Sequence, residues 1–488
     1  MRIVDKNNYN DYIQSDRDTF NENWKQRDFV SDVKDYIQSS VRKVLIVSGL
    51  RGTGKTTGII QVLKDVDGVY VCAEKSNDVD AKGYKEFILS RPERVIMLDE
   101  YTWIKKRREN ELDELLDNLV NHGKRVIITG TESLSLEALK SGPLIHRAIT
   151  IHTTFLSFNE YCRLNNMPMS IETCDLYLKQ GGVFEEYATS NFSTMASYIQ
   201  NAIIDNLKAY IVEIMPGFDI AKISNIVYSI FYKSIRDIMD TKIPVRDNSI
   251  KSLDNLTRLG IEIEDTLDPF DVAQVSNILE QAGVIVKIPN LVPRKEKAAS
   301  FGLSKDERTY IVNPSLTWQL LCSIYDEKVL GNDLLGFVYE STCVVDMYHH
   351  KLADDKIYFL ENNQNGRNYE LDFVITQSEG SGHQISYFFE CKHAAVINLN
   401  TEKGKKWTIA NGMAEHIINE IFPEGEIGGK YIIHPGECSL QNVNESEVLV
   451  IDQGEYLRNY YNFEENKSKI ASGIVESMLP KLNKKCLK

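Results

Sequence analysis

One eight-residue stretch constrains this chain more than any other feature. Gly49-Leu-Arg51-Gly52-Thr53-Gly54-Lys55-Thr56 satisfies GxxxxGK[ST], between the apolar run Val44–Val47 and a helical pattern at Ile59, Val62, Leu63 and Val66. A strand that turns through glycines into a helix gathers backbone N–H groups at a helix N-terminus, and such a nest suits a phosphate. Lys55 then offers a point charge to the β- and γ-phosphates of ATP, and the Thr56 hydroxyl a ligand for Mg²⁺. Gly49, Arg51, Gly52, Thr53, Gly54 and Thr57 complete the expected nucleotide loop.

The surrounding pattern is α/β. Val69–Cys72, Val95–Leu98 and Val126–Ile128 read as buried strands, and Leu112, Leu115, Leu116 and Leu119 as one helix face ending near Gly123. Strands alternating with helices predict a mostly parallel sheet covered on both faces. The strand Val95-Ile-Met-Leu-Asp99-Glu100 ends in two acids. Asp99 is placed to hold a Mg²⁺-bound water and Glu100 to polarise the attacking water, which favours hydrolysis over transfer to a small molecule. Arg125-Val-Ile-Ile-Thr129-Gly-Thr131 ends in hydroxyls at the carboxyl edge of the sheet. There Thr129 or Thr131 reads as a γ-phosphate contact or as a plain turn. Lys105-Lys-Arg-Arg108 is a solvated turn or a contact to nucleic acid or a neighbouring subunit, and Arg147 reaches a γ-phosphate or forms a structural ion pair.

With 488 residues the chain has room for about three domains. The expected divisions are an ATPase domain at 1–165, a helical lid and winged-helix region at 166–330, a second α/β domain at 331–465 and a basic tail at 466–488. In the middle region Val275, Ile278, Leu279 and Ala282 form a helix face that stops at Gly283. A strand at Val284–Ile288, a loop carrying Arg294, Lys295 and Lys297, and a strand at Thr309–Val312 complete the outline of a winged helix. That loop suits a DNA-contacting wing, and equally a solvated loop of a helical adaptor.

Near the C-terminus a second chemistry is legible. Leu371-Asp372-Phe-Val-Ile and Tyr387-Phe-Phe-Glu390-Cys-Lys392 read as strands of a hairpin broken at Ser381-Gly382. Residues two apart on a strand share a face, so Glu390 and Lys392 point the same way, with Asp372 beside them. Two carboxylates, an ammonium and the Cys391 carbonyl suit Mg²⁺, which keeps waters for attack on a phosphodiester. Glu340, on the apolar side of a helix with Phe337, Val344 and Tyr348, is a further expected ligand, because a carboxylate there needs a partner.

Lys plus Arg is 56 against 70 Asp plus Glu, a net charge of −14. Such a chain does not coat DNA by charge, so any DNA contact must come from a local basic patch. The eight cysteines are scattered without a CxxC pair and read as reduced thiols of a cytoplasmic protein. The polar N-terminus lacks the apolar core of a signal peptide, and no run approaches the roughly 18 apolar residues of a membrane span.

Ordered motifs through most of the chain resemble the prokaryotic AAA-type ATPases that carry a C-terminal DUF4143 region, relatives of the archaeal ATPase family. They are Gly49–Thr57 with its internal arginine, Leu98-Asp-Glu100, Ile128-Thr-Gly130, Leu156-Ser-Phe158 followed by Glu160, Tyr177-Leu-Lys-Gln-Gly-Gly182 and Tyr310-Ile-Val-Asn-Pro-Ser-Leu316. Glu340, Glu370-Leu-Asp372 and Glu390-Cys-Lys392 are similar to the PD-(D/E)XK signature of its C-terminal domain. The sequence departs at His146, Phe155 and Asn313, where glycine, proline and aspartate are usual, and the stretch from Met195 to Asp265 matches nothing specific. The resemblance implies an α/β fold with an AAA-like P-loop ATPase, a helical and winged-helix middle, and a restriction-endonuclease-like α/β domain at the C-terminus. It also implies genomic neighbourhoods linked to defence or mobile elements, and by analogy with ATPases that build sites between subunits a homo-oligomer is a candidate form. From the residues themselves, ATP and Mg²⁺ are the expected cofactors and DNA the expected partner. The expected function is ATP hydrolysis coupled to a Mg²⁺-dependent nuclease-like domain acting on DNA. The alternative is a regulatory or adaptor ATPase whose C-terminal fold only binds DNA or a partner protein.

Overall fold

The structure is a computed structural model. It describes residues 2–15, 25–50, 52–72, 81–101, 111–130, 144, 146–182, 203–215, 217–242, 267–292, 302–364, 367–379, 383–410, 412–444 and 446–472.

The first unit runs β1 (Arg2–Asp5), α1 (Tyr9–Ser15), α2 (Asp28–Gln38), β2 (Val44–Ser48), α3 (Lys55–Leu63), β3 (Gly68–Cys72), α4 (Ala81–Ser90), β4 (Val95–Asp99), α5 (Glu111–Asn121), β5 (Arg125–Thr129) and β6 (Ala148–His152). Its sheet has the order β1-β3-β4-β5-β2-β6 and is parallel except for β1. All five residues of β2 are buried. Val44 and Ile46 pack with Tyr84, Ile88, Leu115 and Leu116 of α4 and α5, while Leu45 and Val47 pack with Val33, Tyr36, Ile59 and Leu63 of α2 and α3. Alternate residues of one strand thus feed two cores, which is why it reads as an unbroken apolar run. The chain leaves β2 toward β3 on one side and later crosses to β6 on the other. The phosphate loop therefore sits at the point where strand order reverses, where open α/β sheets bind ligands. The edge strand β1 lies in a polar stretch that gave no strand signal.

The middle elements are α6 (Phe158–Asn165), α7 (Ile171–Gln180), α8 (Asp205–Ile214), α9 (Ile223–Lys242), α10 (Pro269–Gln281), β7 (Ile285–Val292), β8 (Gly302–Ile311) and α11 (Pro314–Ile324). The last group is α12 (Glu327–His350), β9 (Lys356–Gln364), β10 (Arg367–Glu379), β11 (His383–Cys391), α13 (Met413–Ile421), β12 (Glu426–Ile433), β13 (Ser439–Val443), β14 (Ser446–Ile451), α14 (Glu455–Arg458) and α15 (Phe463–Ser472). The strands form an eight-stranded mixed sheet, β13-β14-β12-β11-β10-β9-β7-β8. On one face, Phe373, Phe389 and Tyr431 stack across β10, β11 and β12 with centroids 4.5 and 5.0 Å apart. This face shares a core with α6, α7 and α9 to α12. The other face packs on α13 and on Ile397, Leu399 and Ile409.

Helix α10 is followed by the antiparallel β7–β8 hairpin, and Arg294, Lys295 and Lys297 lie outside the described residues. The hairpin does not stand apart. The Asn290 side chain of β7 accepts from the Glu361 N–H (3.2 Å) and donates to the Glu361 carbonyl (3.3 Å), so an amide side chain imitates a ladder pair to β9. From β8, buried Arg308 donates to Glu370 (2.7 Å) and Glu361 (2.9 Å), and its guanidinium lies 4.3 Å from the Phe359 ring centre. The sheet thus runs across residue 330. The described cysteines are free, and no described helix is long and apolar enough to cross a membrane.

Removing one partner of a buried ion pair costs about 3–5 kcal/mol. Because Glu361 and Glu370 keep some solvent contact, Arg308→Ala should lose about 3 kcal/mol, read as a lower denaturant midpoint. An unchanged midpoint would mean that the hairpin is not fastened to the sheet.

Candidate functional site

The phosphate loop has the backbone its glycines require. Gly49, Gly52 and Gly54 have φ of 146°, 84° and 78°, and a Cβ on Gly49 would stand 2.2 Å from the Thr153 carbonyl oxygen. Lys55 opens α3 and turns back, donating from Nζ to the carbonyls of Gly49 (2.6 Å) and Leu50 (2.8 Å). Burial lowers its pKa to about 8, against the pull of Asp99 and Glu100. Thr56 Oγ1 donates to Asp99 Oδ2 at 2.8 Å, joining the two groups expected at the nucleotide Mg²⁺. Tyr70 donates to the same oxygen at 2.7 Å, and the Glu100 N–H to Asp99 Oδ1 at 2.9 Å. Glu100 has φ 53°, a left-handed conformation uncommon outside glycine, immediately after the strand. Thr57 follows in α3 and Thr53 bonds Leu50 O and Thr153 Oγ1. The Thr129 hydroxyl is buried with no hydrogen-bond partner among the described residues. Arg147 is exposed and paired with Asp117, the ion-pair alternative. Arg51, Thr131 and Lys105–Arg108 lie outside the described residues.

Sequence reasoning missed the residue that holds this loop. Arg27, just before α2, is 7% exposed. Its guanidinium donates to Thr53 O (2.6 Å), Thr154 O (2.8 Å), Phe155 O (3.3 Å) and both oxygens of Glu160 (3.1 and 2.6 Å). Burial would raise the Glu160 pKa, but Arg27 holds it at about 2. Glu160 also accepts from the Ser157 N–H while Ser157 caps the Glu160 N–H, a capping box at the start of α6. One cation therefore ties the phosphate loop to the segment after β6 and to α6. Tyr177 of the lid motif donates to Leu156 O (2.7 Å), and a Cβ on Gly182 would meet Pro314 at 3.1 Å. The Leu156, Tyr177 and Asn313 motifs thus converge in one scaffold.

In the C-terminal sheet, Asp372 and Glu390 occupy adjacent strands, one step beyond the register pair Phe373↔Phe389. Both are 5% exposed. Asp372 Oδ2 accepts from the Cys391 N–H at 2.6 Å, Lys392 Nζ lies 3.0 Å from Glu390 Oε1, and Glu390 Oε2 accepts from the Ile409 N–H at 3.3 Å. Burial raises the Glu390 pKa, Lys392 opposes the rise and Asp372 adds to it. Two buried like charges fit a divalent cation, and Mg²⁺ commonly takes one or two carboxylates and completes its shell with water and substrate phosphate. The expected three-acid set is not met: among the described residues no group of three or more His, Cys, Asp or Glu could hold a metal ion. Glu340 is buried in α12, but its charge bears on Arg308 and on the Cys391 thiol.

Two contacts join residues that follow strands of this sheet to earlier helices. His393 Nε2 is 2.7 Å from Asp175 of α7, and Arg458 donates to Asp28 of α2 at 2.8 Å.

Residues 41–162 match the family model described as an AAA domain, and this part of the chain is an AAA-type ATPase domain. No curated protein matches the chain. Among solved structures, C. elegans PCH-2 is 13% identical with a TM-score of 0.21, over 47% of this chain and 64% of its own. The replication initiator DnaA bound to AMPPCP and single-stranded DNA is 14% identical with a TM-score of 0.26, over 51% and 86%. The S. cerevisiae Hsp104–ADP complex is 10% identical with a TM-score of 0.29, over 71% and 46%. The chain thus spans less than two thirds of PCH-2 and of Hsp104, and likenesses this distant carry no further argument.

Arg27→Ala should destabilise the protein by about 3 kcal/mol and weaken binding of an ATP analogue, whereas a purely peripheral arginine would change neither. Lys55 is charged in the nucleotide-free protein below about pH 8 and neutral above it, so binding above that pH must first restore its proton. Analogue affinity should therefore hold up to about pH 8 and then fall about tenfold per unit, with no such break in Lys55→Met.

Proposed function

We propose that the chain hydrolyses ATP in its N-terminal domain and couples that cycle to a Mg²⁺-dependent, PD-(D/E)XK nuclease-like domain acting on DNA. The observation that carries the reading is the grouping of Asp372, midway along β10, with Glu390 and Lys392 at the end of β11, one residue from the His393–Asp175 contact to α7. In the front site Lys55 and the loop N–H groups bind phosphate, Glu100 orients the attacking water, and the Thr129 hydroxyl, without a hydrogen-bond partner among the described residues, offers a donor to the γ-phosphate. Thr56 and Asp99 would hold the nucleotide's Mg²⁺ there. In the rear site Asp372 and Glu390 would hold Mg²⁺, which supplies Lewis acidity and a more acidic bound water. Lys392 stabilises charge that develops on the phosphodiester. Glu340 supports the site through its neighbours. The lid carries the nucleotide state to the rear site through Asp175, and α2 carries it through Asp28.

The absence of a three-acid metal group among the described residues favours a second reading, a regulatory ATPase whose C-terminal domain binds DNA or a protein without cutting. Incubation with plasmid, ATP and Mg²⁺ or Mn²⁺ separates the two. Lys55→Ala should abolish ATP hydrolysis, whereas Asp372→Ala or Lys392→Ala should abolish nicking or linearisation and leave ATP hydrolysis intact. Undiminished cutting by Asp372→Ala would remove the nuclease assignment.

A further inference from the structure

An acidic chain that touches DNA needs its positive charge concentrated, and one segment beside the rear acids has that property. Between Lys392 and Ala410 stand four lysines, Lys392, Lys403, Lys405 and Lys406, against one acid, Glu402. Lys403, Lys405 and Lys406 are exposed.

The segment is built to hold one shape over the site. At its start the Leu399 N–H donates to Gln441 Oε1 (2.9 Å) and Gln441 Nε2 donates to Ile397 O (2.8 Å). At its end Asn444 donates to Ala410 O (3.0 Å). Leu399 and Ile409 are buried in the core of the sheet's outer face. The tip is a 3₁₀ turn, Gly404–Lys406, folded so tightly that a Cβ on Gly404 would stand 2.5 Å from the Asn398 carbonyl oxygen. Two contacts fix it to the rear residues: the Ile409 N–H donates to Glu390 Oε2 (3.3 Å), and the Lys392 ammonium lies 5.2 Å from the Trp407 ring centre. A rigid loop pays little ordering entropy on binding, so its lysines are preorganised for a polyanion.

We propose that the loop from Thr401 to Ile409 is the DNA-backbone clamp of the rear site, with Lys403, Lys405 and Lys406 on phosphates and Trp407 setting the distance between clamp and Lys392. This rests on the nuclease-like reading for the identity of the ligand as DNA. The clamp holds a phosphodiester strand against Asp372 and Glu390, and it places the chain's scarce positive charge where those carboxylates would otherwise repel the substrate.

The test is binding of a fluorescein-labelled DNA duplex, followed by anisotropy over a range of salt, with Ca²⁺ in place of Mg²⁺ so that no cleavage is needed. The variant is Lys403→Ala, Lys405→Ala and Lys406→Ala combined in the full chain. Affinity should fall about 100-fold at about 0.15 M salt, and the slope of log K against log[salt] should shrink by about 0.9 per lysine removed. ATP hydrolysis without DNA should be unchanged, since exposed lysines contribute little to folding. Equal affinity and equal slope in variant and parent would overturn the proposal, as would an affinity loss with the slope intact. An Asp372→Ala protein that still cuts would remove the nuclease reading and leave this binding result standing.

Discussion

The Arg27 guanidinium organises this molecule. A charge buried to 7% exposure is tolerable only when its donors are spoken for, and here three carbonyls and one carboxylate accept from it. Those acceptors belong to the phosphate loop, to the segment after β6 and to α6. The energy that keeps the cation buried thus keeps three pieces in fixed relation. Next to it the Asp28 N–H donates to Glu160 while the Asp28 carboxylate accepts from Arg458, so the same knot reaches α14, just after the last strand.

The two halves meet through polar contacts as well as through apolar ones. Asp175 lies on α7 and its partner His393 follows Lys392 directly. Helix α7 also contacts α11 through Lys179, whose ammonium lies 4.9 Å from the Trp318 ring centre.

Much of the front half could be read from sequence because its signals are local. Glycines in a left-handed backbone, an apolar run feeding two cores, and an acid at a strand end all appear within a few residues. The rear acids were legible for the same reason: Glu390 and Lys392 are spaced for one strand face, and Asp372 faces them across a hairpin. What stayed hidden depends on distance along the chain. Arg27 and Glu160 are 133 residues apart, and Asp175 and His393 are 218 apart. Neither pair leaves a periodic trace. Tyr70 sits in a strand that looks purely apolar, and only the fold brings its hydroxyl to Asp99. Burial of Glu340 could be inferred from its helix face, but the neighbours that share its charge come from β8 and β11. The Ser157–Glu160 capping box was available as an S-x-x-E spacing, and it would have marked the start of α6 on local grounds.

The borrowed hairpin limits how this protein can be shuffled. Because β7 and β8 complete the sheet begun by later strands, a recombination joint at the start of α12 would leave β9 with a bare edge and Glu361 and Glu370 without their arginine. A viable cassette for the rear fold has to carry α10 and the hairpin with it, so lineages exchanging this module would inherit part of the middle region as baggage.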